Sequence, residues 1–207
     1  MGNQVNFTIY LITDRKQLAA GQTLLSATEA ALRGGVRAVQ LREKDLTAAE
    51  LLPLALEMRS LTNDYAAVLM INDRLDVALA CRADGVHLGG HSLPTDAARS
   101  LLGPDRLIGV STHSRSEIER AATLGADFAT FGPVYATPSK AAYGPAKGLA
   151  ALHAACRNPP LPVFALGGIK PDHQAEVLQA GAAGIALISA VFSDPDPQIA
   201  AARFRLS

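Results

Sequence analysis

Short apolar runs alternate with helix-length stretches along the chain, and most of the runs stop abruptly on polar, charged or glycine residues. The runs are Thr8–Thr13, Val36–Arg42, Ala67–Ile71, Gly85–Leu88, Leu107–Ser111, Phe128–Phe131, Pro162–Leu166 and Gly184–Ile188. They are too short for helices, and most are apolar at consecutive positions, which predicts strands covered on both faces, as in parallel sheets. Helices are expected between them over Leu24–Arg33, Thr47–Asn63, Leu75–Arg82, Pro94–Leu102, Ser116–Leu124, Leu149–Cys156, Pro171–Ala180 and Pro197–Phe204. Thr47 with Glu50 three residues on forms a capping box, and Pro53 is tolerated near the first turns. Gly34-Gly35, Gly103 and Gly125 supply helix stops. Strand–helix units repeated eight times across 207 residues predict an α/β chain, a single (β/α)8 TIM barrel over residues 1–207 with no second domain. A doubly wound open sheet is the structural alternative. The phrases Gly-Ala-Asp-Phe at 125–128 and Gly-Ala-Ala-Gly at 181–184 read as one helix-to-strand turn used twice.

Composition narrows the class. Apolar residues make up 49% of the chain, Trp is absent, and 19 basic residues balance 19 acidic ones. A nucleic-acid binder would carry a basic excess, so nucleic acid is not an expected partner. Met1–Phe7 lacks the charged and apolar regions of a secretory signal, and no apolar run approaches the roughly 18 residues of a spanning helix. Cys81 and Cys156 match no metal or redox spacing and read as buried thiols in a reducing compartment. A cytoplasmic protein without a membrane partner is expected, with a homo-oligomer compatible with the sequence.

In a barrel, residues just after each strand gather at the active face. Here they are Asp14 and Arg15; Gln40, Arg42 and Lys44; Asn72 and Asp73; His87, His91 and Ser92; Ser111 and His113; Thr137, Ser139 and Lys140; Gly167 and Gly168; and Ile188-Ser189. Arg42, Lys44 and Lys140 on one mouth would repel one another unless an anion sits there, and Arg and Lys are both phosphate ligands. The bland alternative is a solvated rim. Asp73 suits Mg2+, which takes one or two carboxylates with phosphate oxygens and water. It equally suits the cap of the helix beginning at Leu75. Gly167-Gly168 and Ile188-Ser189 fit the phosphate site that barrels form after strands seven and eight. Three histidines lack zinc spacing; His87 reads as an inward residue with one hydrogen bond, and His113 as a general acid/base. Asp14 and Arg15 are placed to pair with each other. The irregular segment 132–148 is long enough to be functional or mobile.

Several motifs then combine: Gln40-Leu-Arg-Glu-Lys44, Ile71-Asn-Asp-Arg74, Asp84-Gly-Val-His-Leu-Gly89, Gly109-Val-Ser-Thr-His113, Phe131-Gly-Pro-Val-Tyr-Ala-Thr-Pro-Ser-Lys140, Ala165-Leu-Gly-Gly-Ile169 and Ala186-Leu-Ile-Ser-Ala190. In this order the chain resembles the thiamine phosphate synthase and thiazole tautomerase superfamily over nearly its whole length. The resemblance implies condensation of hydroxymethylpyrimidine diphosphate with a thiazole phosphate through a pyrimidine cation. It further implies that Arg42, Lys44, Asn72 and Lys140 hold pyrophosphate, that Ser111 adds a hydrogen bond, and that Asp73 binds Mg2+. Gln40 would orient the pyrimidine. Thr137, Ser139, Gly168 and the Ile188-Ser189 backbone would hold the thiazole and its phosphate.

One position departs from the synthase pattern: Ser92 stands where the resemblance places a second magnesium carboxylate. The tautomerase relatives also lack that acid and carry a histidine where His113 stands, but they commonly lose the acid at Asp73, which this chain keeps. Three functions follow as expectations: the synthase; a thiazole tautomerase with His113 as acid/base; and a non-catalytic barrel that binds a phosphate ligand.

Overall fold

The computed structural model describes residues 5–137 and 145–205. Its strands are β1 (Ile9–Ile12), β2 (Ala38–Leu41), β3 (Val68–Asn72), β4 (Gly85–Leu88), β5 (Leu107–Thr112), β6 (Phe128–Phe131), β7 (Val163–Leu166) and β8 (Gly184–Leu187). They follow one another around a single closed barrel, and the recorded pairings are all parallel. The fold is the (β/α)8 barrel. Every residue of β1, β2, β4, β6 and β8 is buried, which is why these runs are apolar at consecutive positions. The helices are α1 (Leu24–Arg33), α2 (Ala48–Asp64), α3 (Leu75–Ala80), α4 (Thr95–Leu102), α5 (Arg115–Thr123), α6 (Gly148–Cys156), α7 (Gln174–Gln179), α8 (Ser189–Phe192) and α9 (Pro197–Ala202).

The Thr47–Glu50 capping box is present, and α2 continues through Pro53 in its second turn. Pro94, expected within the first turn, stands instead at the N-cap of α4, one residue before that turn begins. Pro171–His173 form a 3-10 turn that leads into α7, and α8 occupies a stretch for which the apolar pattern gave no helix.

Backbone packing divides the chain into two compact units, Met1–Thr8 with Leu88–Ala186, and Ile9–His87 with Leu187–Ser207. In the first, Phe7 lies 5.1 Å from Phe164 and 5.6 Å from Phe128 by ring centroid. In the second, α1 packs on α9 so closely that a Cβ at Gly34 would stand 2.8 Å from Ala201 Cβ.

One turn recurs with the same bonds. The Asp84 N–H donates to the Leu69 carbonyl (2.9 Å), while its carboxylate accepts from the Leu69 N–H (2.7 Å) and from Arg59 of α2 (2.6 Å). Asp127 repeats this with Ile108 (2.8 and 2.6 Å) and Arg99 of α4 (2.6 Å). At the equivalent turn Ala183 keeps the backbone bond, to Val163 (2.8 Å), and has no carboxylate to add. This accounts for the repeated Gly-Ala phrase. Among the described residues no helix is long and apolar enough to cross a membrane.

Candidate active site

The end of β2 is built around a buried acid. Glu43 accepts from the Thr13 hydroxyl (2.6 Å), from the Arg15 N–H (3.2 Å to each oxygen) and from the Arg15 guanidinium (3.0 Å). The Arg42 N–H donates to Thr13 Oγ1 (2.9 Å), so one threonine ties the acid to the backbone of its neighbour. Arg15 also forks onto Asp45 (2.8 and 2.9 Å), where Lys16 makes a further ion pair (2.9 Å). These cations hold the Asp45 carboxyl down to about 2, Lys16 first and Arg15 second. The expected pairing of Asp14 with Arg15 is not what forms. Asp14 instead accepts from the Lys16 N–H (3.2 Å) and the Gln17 amide (2.5 Å), because it caps the 3-10 turn Arg15–Gln17.

Gln40, on β2, is 1% exposed. Its amide nitrogen donates to the Tyr10 hydroxyl (2.9 Å), which lies 3.3 Å from His87 Nδ1. His87 is therefore an inward barrel residue bonded to Tyr10, in keeping with its sequence reading. Burial drives its pKa down to about 3, with the Arg42 cation adding to the effect, so the ring is neutral near pH 7. Burial also raises the Tyr10 phenol, against the donated Gln40 bond.

Arg42 and Lys44 flank Glu43, yet among the described residues neither forms an ion pair. Lys44 is lowered first by desolvation and then by Arg42, while Asp73 pulls it back up. Like charge held together without local neutralisation is the condition for binding an anion. Asn72 closes β3 in register with His87. Asp73, next along, adopts φ 64° and donates its N–H to the His87 carbonyl (2.9 Å). Left-handed backbone is tolerated by Asp, and it turns the chain sharply off the strand end. The N-cap of α3 is Arg74, so the capping alternative for Asp73 is not realised; its carboxylate is exposed and makes no hydrogen bond among the described residues.

Ile188, half-buried, is the N-cap of the short helix α8, and its carbonyl accepts from the N–H groups of Val191 (3.2 Å) and Phe192 (3.1 Å). Ser189 is exposed at the first helical position.

In the other unit, half-buried Ser111 lies on β5 and exposed His113 follows it. His113 Nδ1 is 2.6 Å from the Gly132 carbonyl, which makes Nδ1 the protonated nitrogen, and its N–H donates to Glu117 (2.6 Å). The segment after β6 leans on the end of β7: the Val134 N–H donates to the Leu166 carbonyl (2.8 Å) and the Tyr135 N–H to that of Gly167 (3.0 Å). Gly167 and Gly168 have φ of 100° and 65°, and a Cβ on Gly168 would meet the Ala136 carbonyl at 2.7 Å. Thr137 is half-buried at the edge of the described residues, and Ser139 and Lys140 lie outside them. The Ser92 hydroxyl accepts from the Gly89 N–H (2.8 Å), closing the turn after β4, and His91 is exposed.

Among the described residues no cluster of three His, Cys, Asp or Glu side chains forms. A metal held wholly by protein groups needs more than Asp73. Mg2+ fits such a sparse donor set when a phosphate ligand supplies the rest, because it binds through one or two carboxylates, phosphate oxygens and water.

Reading strand ends finds Gln40, Arg42, Lys44, Asn72 and Asp73 but passes over Tyr10, Thr13 and Glu43. The available signal for Glu43 is the alternation Arg-Glu-Lys-Asp, two acids that must be held by something outside the motif.

Comparison with known proteins gives a consistent answer. The family model for thiamine monophosphate synthase matches residues 9–191. A Geobacter sulfurreducens relative is 59% identical over 195 residues, covering 94% of this chain and 91% of its own length. The thiamine-phosphate synthase of Moorella thermoacetica is 43% identical over 197 residues, covering 95% of this chain and 93% of its own. Thiamine phosphate pyrophosphorylase from Pyrococcus furiosus superposes with a TM-score of 0.87 at 35% identity, covering 96% of this chain and 93% of that one.

Proposed function

The chain belongs to the thiamine monophosphate synthase family, and from that membership we propose that it joins hydroxymethylpyrimidine diphosphate to hydroxyethylthiazole phosphate, giving thiamine phosphate and pyrophosphate. The observation that carries this reading is the pair Arg42 and Lys44, neither in an ion pair among the described residues, with Asn72 ending the adjacent strand and Asp73 following it. Such a set suits a leaving group that gains negative charge as its bond to carbon breaks.

The pyrimidine C–O bond breaks with its electron pair passing to the diphosphate, and the ring-stabilised cation is captured by the thiazole nitrogen lone pair. No proton needs to move for this exchange. Arg42 and Lys44 stabilise the departing charge, with Lys140 joining them, while Asn72 and Ser111 fix oxygens by hydrogen bonds. Gln40, braced from behind by Tyr10, orients the pyrimidine. Thr137, Ser139, Gly168 and the Ile188-Ser189 backbone hold the thiazole phosphate. Asp73 would hold Mg2+, which when bound offsets the charge of the diphosphate.

Incubating the purified protein with both substrates and Mg2+ tests the proposal by thiamine phosphate and pyrophosphate appearing in equal amounts. No product at high enzyme concentration would overturn it. A second reading is favoured by the His113 geometry: with Nδ1 donating to Gly132, Nε2 carries the lone pair of a general base. That base could isomerise a thiazole carboxylate phosphate. Retained isomerisation in His113→Ala would refute His113 as its base, and no isomerisation by the wild type would refute the activity itself; neither outcome touches the first reading.

A further inference from the structure

The end of β2 reads Arg42-Glu43-Lys44-Asp45, cations alternating with acids. Such a loop, left to itself, would neutralise its own charge, since Lys44 has an acid on either side. The fold sorts the charges otherwise. Both acids are taken by the loop after β1, Glu43 by Thr13 and Arg15, Asp45 by Arg15 and Lys16. The planar Arg15 guanidinium spans both carboxylates, at 3.0 Å from Glu43 and 2.8 and 2.9 Å from Asp45. A lysine is a single point charge without that fork. Among the described residues every ion pair of the two acids thus goes to Arg15 or Lys16, and none to Arg42 or Lys44.

We propose that Arg15 and Lys16 are charge-sorting residues: by engaging Glu43 and Asp45 they keep Arg42 and Lys44 un-neutralised and available to a diphosphate-class anion. The inference rests on the reading of Arg42 and Lys44 as diphosphate ligands. Arg15 and Lys16 touch no substrate in this scheme; they act through other residues and are positioning residues.

The two acids differ in what they do when released. The Glu43 side chain is 2% exposed, and a carboxylate at that depth is costly without a cation, so it draws on Arg42 or Lys44. The Asp45 side chain is 43% exposed and is free to swing toward Lys44. In both cases the anion site loses positive charge although none of its own residues has changed. Thr13 adds a positional link, since its hydroxyl accepts a hydrogen bond from the Arg42 N–H and donates one to Glu43.

The test compares Arg15→Gln with the triple variant Arg15→Gln/Glu43→Gln/Asp45→Asn. The measurements are inhibition by inorganic pyrophosphate, pyrophosphate binding by calorimetry, and KM for each substrate. Arg15→Gln is expected to weaken pyrophosphate about fivefold and raise the diphosphate KM equally, with the thiazole phosphate KM within about twofold of wild type. The triple variant, with no acid left to sort, is expected to recover pyrophosphate affinity to within about twofold. A residue that merely supported the loop would not be rescued by deleting its own partners. If Arg15→Gln does not fold, Arg15→Lys keeps a charge on buried Glu43 but loses the fork. Its smaller loss of affinity should be reversed by Asp45→Asn. Unchanged pyrophosphate affinity in the Arg15 variants, or no recovery when the acids are removed, overturns the sorting. An Arg42→Gln control separates the failures. If it leaves pyrophosphate binding intact, the diphosphate reading fails and the sorting with it; if it weakens binding while Arg15→Gln does not, the sorting alone fails.

Discussion

His87 is 3% exposed, and its imidazole takes part in a chain from Gln40 through the Tyr10 hydroxyl. The folded protein holds this ring neutral down to about pH 3, whereas in the unfolded chain it protonates near its ordinary value of about 6.5. Between those values the unfolded state binds the extra proton, so stability must rise with pH across that window and reach its full value above it. Urea unfolding between pH 4 and 7 should show this slope in the wild type and a flatter one in His87→Gln. Equal slopes would place the titration elsewhere. Tyr10→Phe leaves the buried Gln40 amide without its acceptor, which should cost about 1–3 kcal/mol in the same unfolding assay. If Gln40 orients the pyrimidine, the diphosphate KM rises alongside. The two ends of this chain differed in legibility. His87 was readable as an inward residue because it sits inside an apolar run bounded by Gly85 and Gly89. Tyr10 is not legible because a tyrosine in an apolar strand looks like any core aromatic; the successive pairings of β1, β2, β3 and β4 bring the three side chains together.

At the scale of elements, two Asp–Arg clasps tie a helix and the start of one strand to the turn before the next. Asp127 is the cleaner case, since its carboxylate serves both the Ile108 N–H and Arg99, and the Arg99 side chain is only 23% exposed. Asp127→Ala removes the acceptor of the Ile108 N–H and the counter-charge of Arg99, which keeps the Gly103, Arg106 and Gly125 carbonyls. It should lower unfolding stability by about 2 kcal/mol while leaving both substrate KM values unchanged. A changed KM at unchanged stability would contradict the assignment. Gly168 makes the opposite prediction. With φ of 65° and the Ala136 carbonyl 2.7 Å from where a Cβ would stand, Gly168→Ala must shift the segment after β6. It should raise the thiazole phosphate KM at least about tenfold, with the diphosphate KM far less affected. Strands and most helices were legible because burial on both faces imposes continuous apolar runs and the caps have fixed chemistry, as at Thr47 and Glu50. Helix α8 was not, because four residues hold too little periodicity to register. The clasps are not legible: the Gly-Ala phrase at 125–126 and 181–182 marks the turn, but Asp84 follows Arg82-Ala83 and Ala183 carries no carboxylate, and Arg59 and Arg99 lie 25 and 28 residues from their partners.

For the molecule as a whole, the balance of 19 basic and 19 acidic residues conceals a local arrangement in which Arg42 and Lys44 keep their charge and Asp73 keeps an exposed carboxylate. The ligand class was legible because phosphate chemistry needs cations after strand ends. The distribution of the acids was not, because it depends on tertiary pairing across about 30 residues. The sparse metal donor set has a thermodynamic consequence. With Asp73 as its carboxylate, Mg2+ alone should bind weakly, and pyrophosphate alone should meet only the cations. Together each supplies what the other lacks, so their stabilisation should exceed the sum of the separate effects. At about a hundredfold excess over the joint dissociation constant the gain is about 2.7 kcal/mol. For a chain of this length that corresponds to a Tm rise of about 5–10 °C. Asp73→Asn should remove the excess and leave the response to pyrophosphate alone, since Arg42 and Lys44 are untouched. Strictly additive shifts in the wild type would mean that Asp73 and the diphosphate do not share a metal, and Asp73 would then have to act on the anion only through Lys44, whose charge it supports.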